Sequence, residues 1–236
     1  MEQFSLQDFE IHSGADLGTC GNKGSFRGKL RKNGLPVLLH RFRPAEYLLD
    51  SRPIIKDAKP PDFTVPFVTR FTSIFIGAGT AYLVEPLPLS ITLTDAWRSV
   101  LAKSPKNAFG VVKVLIEQLL PFVSPRQEKS FHGVHLDNIV LTMNSSYGIL
   151  ADCIDSEDGP IQLRSTYPIE NGNLFPALSI VIEKLLEMEA SMAKARNRQI
   201  LPYDIHKKIS QFALLIKTIS KETLIQNTNI NELAGL

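Results

Sequence analysis

The most informative part of the sequence is FHGVHLDNIVLTMNSSYGILADCID, residues 131–155. It begins as a polar loop with two histidines and continues in an apolar run that starts at Ile139. A polar turn follows at Asn144-Ser145-Ser146, and a second apolar run ends at Asp152. Short apolar runs on either side of a polar turn predict a pair of β-strands. The segment is therefore predicted to be loop, strand, turn and strand.

Upstream of this segment the sequence predicts more strands. Lys32-Asn33-Gly34 separates two strand-like runs, and Asn-Gly at such a place is typical of a β-hairpin. Two further runs, VTRFTSIFIG at 68–77 and TAYLVEPL at 80–87, flank a glycine-bearing turn. One short helix is predicted at 44–50, where a proline suits the first helical turn. The N-terminal part of the chain is therefore predicted to be rich in β-structure.

Helical periodicity dominates the other segments. Residues 93–103 have a helix start signal at Thr94 and Asp95, and residues 108–123 are apolar on nearly every face. The chain is predicted to be α+β, with a β-rich N-lobe at 1–87 and a mainly helical, compact C-lobe at 88–220. Further helices are predicted at 174–195 and 203–220, and a flexible tail at 221–236.

Composition and charge exclude several classes of protein. The chain has 26 basic and 24 acidic residues and a net charge of +2, so no overall field attracts nucleic acid or anionic lipid. Its longest apolar stretch, residues 74–84, is shorter than the roughly 20 residues that span a bilayer, so we expect no membrane insertion. The N-terminus lacks a signal-peptide pattern, and Cys20 and Cys153 form no disulfide framework. We expect a cytoplasmic protein in a reducing compartment.

The order of elements and several motifs resemble the protein-kinase fold over residues 10–220. FHGVHLDNIVL at 131–141 is similar to the catalytic loop H-R-D-L-x-x-x-N and the strand after it. Asp152 stands where the family keeps the aspartate of D-F-G. TCGNKGSF at 19–26 resembles a glycine-rich loop, and PVLLHRF at 36–42 resembles the V-A-I-K strand. The resemblance implies a single kinase-like domain over 1–236.

Departures from the family pattern lie at the residues that carry its chemistry. The resemblance places Gly21, Gly24, His40, Asn138 and Asp152 at a degenerate nucleotide cleft. Where the family has a lysine the chain has His40, which is shorter and carries no fixed positive charge near pH 7. The catalytic loop is one residue short, and no aspartate stands where the general base belongs. We therefore assign no catalytic residue and no metal site, and we expect neither ATP nor Mg²⁺ to bind.

Three interpretations of the function stay open at this point. The chain is interpreted first as a catalytically inactive pseudokinase domain, not an enzyme. In the second interpretation Asn138 and Asp152 hold a nucleotide and its metal, and the chain is an atypical phosphotransferase or a nucleotide-binding regulator. The third interpretation is an unrelated α+β structural domain whose motif matches arise by chance.

The first interpretation places function on the surface. A pseudokinase keeps its fold while its active-site residues change, so we expect a protein–protein interaction scaffold or a subunit of a hetero-complex. Three segments are predicted to contact a protein partner: 52–66, 177–195 and 203–220. Ile54 and Leu185 are predicted to lie on the outer faces of the first two.

Overall fold

The chain has a mixed α+β architecture. The computed structural model describes residues 4–16, 25–42, 62–69, 73–77, 80–119, 136, 138–150 and 174–218. Within them the strands are β1 (Phe9–Asp16), β2 (Ser25–Leu30), β3 (Pro36–Phe42), β4 (Phe67–Val68), β5 (Ser73–Gly77), β6 (Thr80–Pro86), β7 (Ser90–Thr92), β8 (Ile139–Thr142) and β9 (Tyr147–Ile149).

Four α-helices belong to the described residues. Two short 3-10 helices, Leu6–Asp8 and Pro105–Asn107, accompany them. The α-helices are α1 (Leu93–Lys103), α2 (Ala108–Leu119), α3 (Leu174–Ala195) and α4 (Tyr203–Thr218).

Five β-strands from the N-terminal part form a sheet in the order β1-β2-β3-β6-β5. Each neighbouring pair in it is antiparallel. The β2–β3 hairpin turns where the sequence predicted it, because Gly34 takes a positive φ of 70° that suits glycine. The Asn33 side chain accepts a hydrogen bond from the Leu35 amide at 3.0 Å, which fixes the turn. The prediction of a β-rich N-terminal part is confirmed.

One face of this sheet carries an apolar core. Phe75 stacks on Phe9 on one side and on Tyr82 on the other, with ring centroids 5.3 and 5.0 Å apart. Alternation along the strands places these side chains on one face of the sheet. The buried members of the cluster are Phe9, Val37, Leu39, Phe75, Tyr82 and Val84.

A second sheet has the strand order β4-β9-β8-β7. Its parallel β4–β9 pair aligns Phe67 with Gly148. A Cβ at Gly148 would overlap the ring of Phe67, so glycine is required there by the close approach of the ring. The predicted strand pair of residues 139–149, with its turn at Asn144-Ser145, is confirmed.

The chain divides into two compact units. One contains residues 1–90 with 142–164, and the other contains residues 91–141 with 165–236. In the second unit, α4 packs on α3 and α2, with Phe109 and Phe212 edge to face at 5.7 Å. Trp97 is completely buried there, and its indole N–H donates to the carbonyl of Leu185 at 2.9 Å.

The predicted apolar helix that starts at residue 108 is confirmed by α2, which the structure describes to Leu119. Two details of the sequence interpretation are corrected by the structure. Helix α1 has the predicted range, but its N-cap is Thr92 rather than Thr94, because the Thr92 hydroxyl accepts from the Asp95 amide at 3.1 Å. Leu185 is completely buried, so it does not lie on an outer face. The predicted helix at 44–50 lies outside the described residues.

Candidate functional site

His40 is the predicted cleft residue whose surroundings are best defined. It lies on β3, and β3 pairs with β2 on one side and β6 on the other. Since Val37 and Leu39 point to the apolar cluster, His40 points to the opposite face of the sheet. Only 1% of its surface is exposed. A histidine in this position needs a polar partner.

Glu85 on β6 is that partner. The imidazole Nε2 of His40 lies 2.8 Å from Oε2 of Glu85, and Glu85 is completely buried. The strand register pairs His40 with Leu83, so Glu85 is the diagonal neighbour two residues further along the same face of β6. A buried carboxyl group and a buried imidazole thus satisfy one another inside the first unit.

Thr69, which follows β4, extends the pair to a third side chain. Its hydroxyl hydrogen-bonds to Oε1 of Glu85, and the residue is 2% exposed. The Thr69 amide donates to the carbonyl of Ile149 at 2.8 Å, and the hydroxyl lies 3.1 Å from the same carbonyl. A hydroxyl has only one proton. The carbonyl of Ile149 already accepts a hydrogen bond from the Thr69 amide, so the Thr69 hydroxyl donates its proton to Glu85.

We call His40, Glu85 and Thr69 the buried triad. It joins β3, β6 and the end of β4, and Thr69 joins β9 to them. In a low-dielectric interior such a network is stabilising only when its members satisfy each other. Nε2 of His40 is committed to a carboxyl group that is itself buried. The arrangement therefore holds strands together and does not present a cation to an anionic ligand.

Arg41, the neighbour of His40, lies on the other face of β3. Its guanidinium carbon is 5.5 Å from the ring centroid of Phe26, a cation–π geometry. The opposite orientation of His40 and Arg41 follows from strand alternation.

Asn138, the second predicted residue that the structure describes, belongs to the other unit. It is 1% exposed and lies in the turn that leads into β8. Burial at that place is typical of an asparagine that fixes a loop. Gly21, Gly24 and Asp152, the other three predicted residues, lie outside the described residues.

Sequence reasoning missed Glu85 and Thr69. The signal for Glu85 was a carboxylate inside an otherwise apolar strand, TAYLVEP, at a position that alternation assigns to the same face as Leu83. Such a residue is almost never fully buried unless it is paired. Nothing local in the sequence points to Thr69, because it is 16 residues from Glu85.

Arg27 on β2 is a partly buried polar group of the first unit. Its guanidinium donates to the carbonyl of Ser90 at 2.8 Å, and burial lowers its pKa. The Ser90 hydroxyl is buried and has no hydrogen-bond partner among the described residues. This contact ties β2 to the segment that follows β6.

Comparison with models of known protein families finds no match. Comparison with curated proteins likewise finds no match. Of the helices that the structure describes, none combines the length and apolar character needed to cross a membrane. Among the described residues, no three His, Cys, Asp or Glu side chains cluster closely enough to hold a metal ion.

Proposed function

We propose that the chain is a catalytically inactive kinase-like domain, a pseudokinase, that acts as a protein–protein interaction scaffold or as a subunit of a complex. The observation that carries the proposal is the buried triad. At the position of the strand lysine stands His40, which is 1% exposed and hydrogen-bonded to Glu85.

Phosphoryl transfer depends on positioned charge, so the loss of these groups decides the chemistry. The γ-phosphate has to be neutralised by a cation and by metal ions, and a base or orienting group has to hold the nucleophile. In this proposal His40 offers no exposed cation, because it is buried and hydrogen-bonded to Glu85. Gly133 and Val134 follow His132 in the loop, and neither can accept a proton.

The order of the described elements supports the kinase-like part of the proposal. A five-stranded antiparallel sheet precedes a helical unit, and a strand hairpin, β8–β9, interrupts the helices. The resemblance implied this order over residues 10–220.

Phosphotransfer assays test the proposal. Purified chain is incubated with labelled ATP, Mg²⁺ or Mn²⁺, and generic protein substrates, beside the variant Asp152→Ala. The proposal predicts that transfer by the wild type does not exceed that of the variant. Turnover in the wild type that disappears in Asp152→Ala would replace the scaffold with a phosphotransferase.

A capture experiment tests the scaffold directly. The chain and its double variant Asn138→Ala/Asp152→Ala are used as bait for native partners. Equal capture by both is expected, because the cleft has no part in binding. Loss of capture in the double variant would mean that a ligand in the cleft controls the function.

A further inference from the structure

The connection between α3 and α4 concentrates positive charge. Between residues 194 and 217 the sequence holds six lysines and arginines and one acidic residue, Asp204. Five of the six make no ion pair with any described carboxylate, whereas Lys217 lies 3.6 Å from Glu183. All five are exposed: Lys194, Arg196, Arg198, Lys207 and Lys208.

A rigid connection presents the first three of these cations. Helix α3 ends at Ala195, and Asn197 in the turn that follows takes a positive φ of 48°. The amide of Arg198 donates to the carbonyl of Ala193, and that of Asn197 donates to Lys194, both at 3.1 Å. This is a Schellman motif, which fixes the direction of the chain after the helix.

Buried contacts hold the remainder of the connection. Leu201 is 1% exposed, and its amide donates to Oε1 of the buried Glu189 at 3.1 Å. The Gln199 side chain donates to the carbonyl of Leu201 at 2.8 Å. Because the backbone is already fixed, a partner that binds here would lose little conformational entropy in the loop.

Helix α4 adds an outward face with apolar anchors. Its buried side contains Ile209, Phe212, Ala213 and Ile216. On the opposite side, Tyr203 is 75% exposed and Leu214 is 62% exposed, with Lys207 between them on the same stripe. The two apolar side chains are about 16 Å apart along the helix axis.

Helix electrostatics account for only part of this charge. Cations at the end of α3 are favourable to its dipole. Lys207 and Lys208 lie in the second turn of α4, where the dipole gives no such compensation. Since no described carboxylate pairs with these cations, an acidic partner would complement the charge of this face.

We propose that the α3–α4 basic surface, formed by Tyr203, Leu214 and the five cations that pair with no described carboxylate, docks an acidic helical segment of a partner protein. The inference rests on the proposed scaffold function and names the chemistry of its partner. A protein is favoured over a nucleic acid because Leu214, like Tyr203, is a large exposed anchor on the charged stripe. Phosphate recognition uses cations and aromatic rings but has no use for an aliphatic anchor.

Four probes test the surface. They are a fluorescent 20-residue amphipathic helical peptide with glutamates around a leucine stripe, its lysine-for-glutamate counterpart, a single-stranded DNA 20-mer, and vesicles of phosphatidylserine and phosphatidylcholine. The full chain is expected to bind the acidic peptide and not the basic one. Raising NaCl from about 50 to about 500 mM should weaken binding at least about tenfold, since the surface is exposed.

Matched variants locate the binding. Arg198→Glu/Lys207→Glu is expected to weaken binding of the acidic peptide at least about tenfold. Lys103→Glu/Lys106→Glu makes the same charge change on exposed residues elsewhere and should leave it unchanged. Leu214→Ser should weaken binding, while Leu89→Ser, at a residue 66% exposed, should not.

Three results would overturn the proposal. One is binding that both charge-reversed pairs reduce equally, which would mean nonspecific attraction. Another is binding of the DNA or the vesicles, but not of the peptide, that Arg198→Glu/Lys207→Glu abolishes. The third is no salt-dependent binding of the acidic peptide at all. None of these results bears on the proposed inactivity of the cleft, which the phosphotransfer assay tests separately.

Discussion

Nε2 of His40 lies 2.8 Å from Oε2 of Glu85, and the two residues are 45 positions apart in the chain. Both side chains are buried, with 1% and 0% of their surface exposed. Through Thr69 the same carboxyl group is joined to the strand end that contacts Ile149. The polar interior of the first unit is therefore organised around Glu85.

Removal of the Glu85 carboxyl group should destabilise the first unit strongly. Glu85→Ala leaves His40 and Thr69 without this partner in a buried site, and breaking such a pair costs about 3 to 5 kcal/mol of unfolding free energy. Urea unfolding followed by circular dichroism measures the change. Glu10→Ala is the matched control, because Glu10 pairs with Lys29 at 3.1 Å on the surface and should have little effect.

A double variant separates the pair from simple packing. His40→Leu/Glu85→Leu should be less destabilised than the sum of the two single variants, because neither the imidazole nor the carboxyl group is then left buried without the other. Additive effects would show that His40 and Glu85 are not coupled.

Gly148→Ala should destabilise the β4–β9 pair, since its Cβ would overlap the ring of Phe67. Overpacking of this kind costs about 1 to 3 kcal/mol, and Phe67→Leu in the same chain should recover part of the loss. Gly110→Ala in α2 is the control, where a Cβ meets nothing within 4 Å and alanine should stabilise by about 0.5 to 1 kcal/mol. Thermal unfolding that ranks the two alanine variants the other way would contradict the described packing.

Leu185→Asp should unfold the second unit, because it places a carboxylate in a site with no exposed surface. A loss of more than about 4 kcal/mol is expected for an unpaired buried charge. Trp97 is the only tryptophan and is buried beside Leu185, so its fluorescence should shift to longer wavelength. Leu214→Asp, at a residue 62% exposed, should leave the emission unchanged. A blue, native-like emission from Leu185→Asp would place residue 185 on the surface.

Alkaline pH should weaken the fold through Tyr147. Burial raises the pKa of Tyr147 to about 12 from its usual 10.0, so the folded state keeps a proton that the unfolded state releases. This stabilisation is complete below pH 10 and is lost as the pH rises toward 12, by about 1.4 kcal/mol per pH unit. Tyr147→Phe should flatten the fall in unfolding free energy over that window. Identical slopes for the wild type and the variant would show that Tyr147 ionises as freely as an exposed tyrosine.

Local patterns explain which parts of the fold were predictable. The hairpin at Asn33-Gly34, the strands around Gly77 and the four α-helices follow from turn residues and periodicity close in sequence. The range of α1 was predicted correctly, but its capping residue was not, because Thr92 and Thr94 both precede Asp95 and only the observed hydroxyl contact distinguishes them. The prediction that Leu185 is exposed was wrong, because the periodicity of a helix does not show how many of its faces are covered by neighbouring elements.

The buried triad was not predictable from local patterns. It depends on the register between β3 and β6, which places His40 and Glu85 on one face of the sheet. It also depends on the position of Thr69, which directly follows β4 and contacts Glu85. That His40 stands at the position of a kinase lysine stays a prediction of the resemblance. The roles of Gly21, Gly24 and Asp152 stay predictions.

Binding of ATP is the most direct test of an inactive cleft. Unfolding free energy is measured with and without Mg²⁺ and ATP, beside the double variant Asn138→Ala/Asp152→Ala. A bound ligand at about 100 times its Kd would add ~2.7 kcal/mol. We predict no change in unfolding free energy for either protein. In the proposed pseudokinase, His40 stands at the position of the nucleotide-binding lysine and is hydrogen-bonded to Glu85. Saturable stabilisation of the wild type by ATP that the double variant lacks would contradict the account.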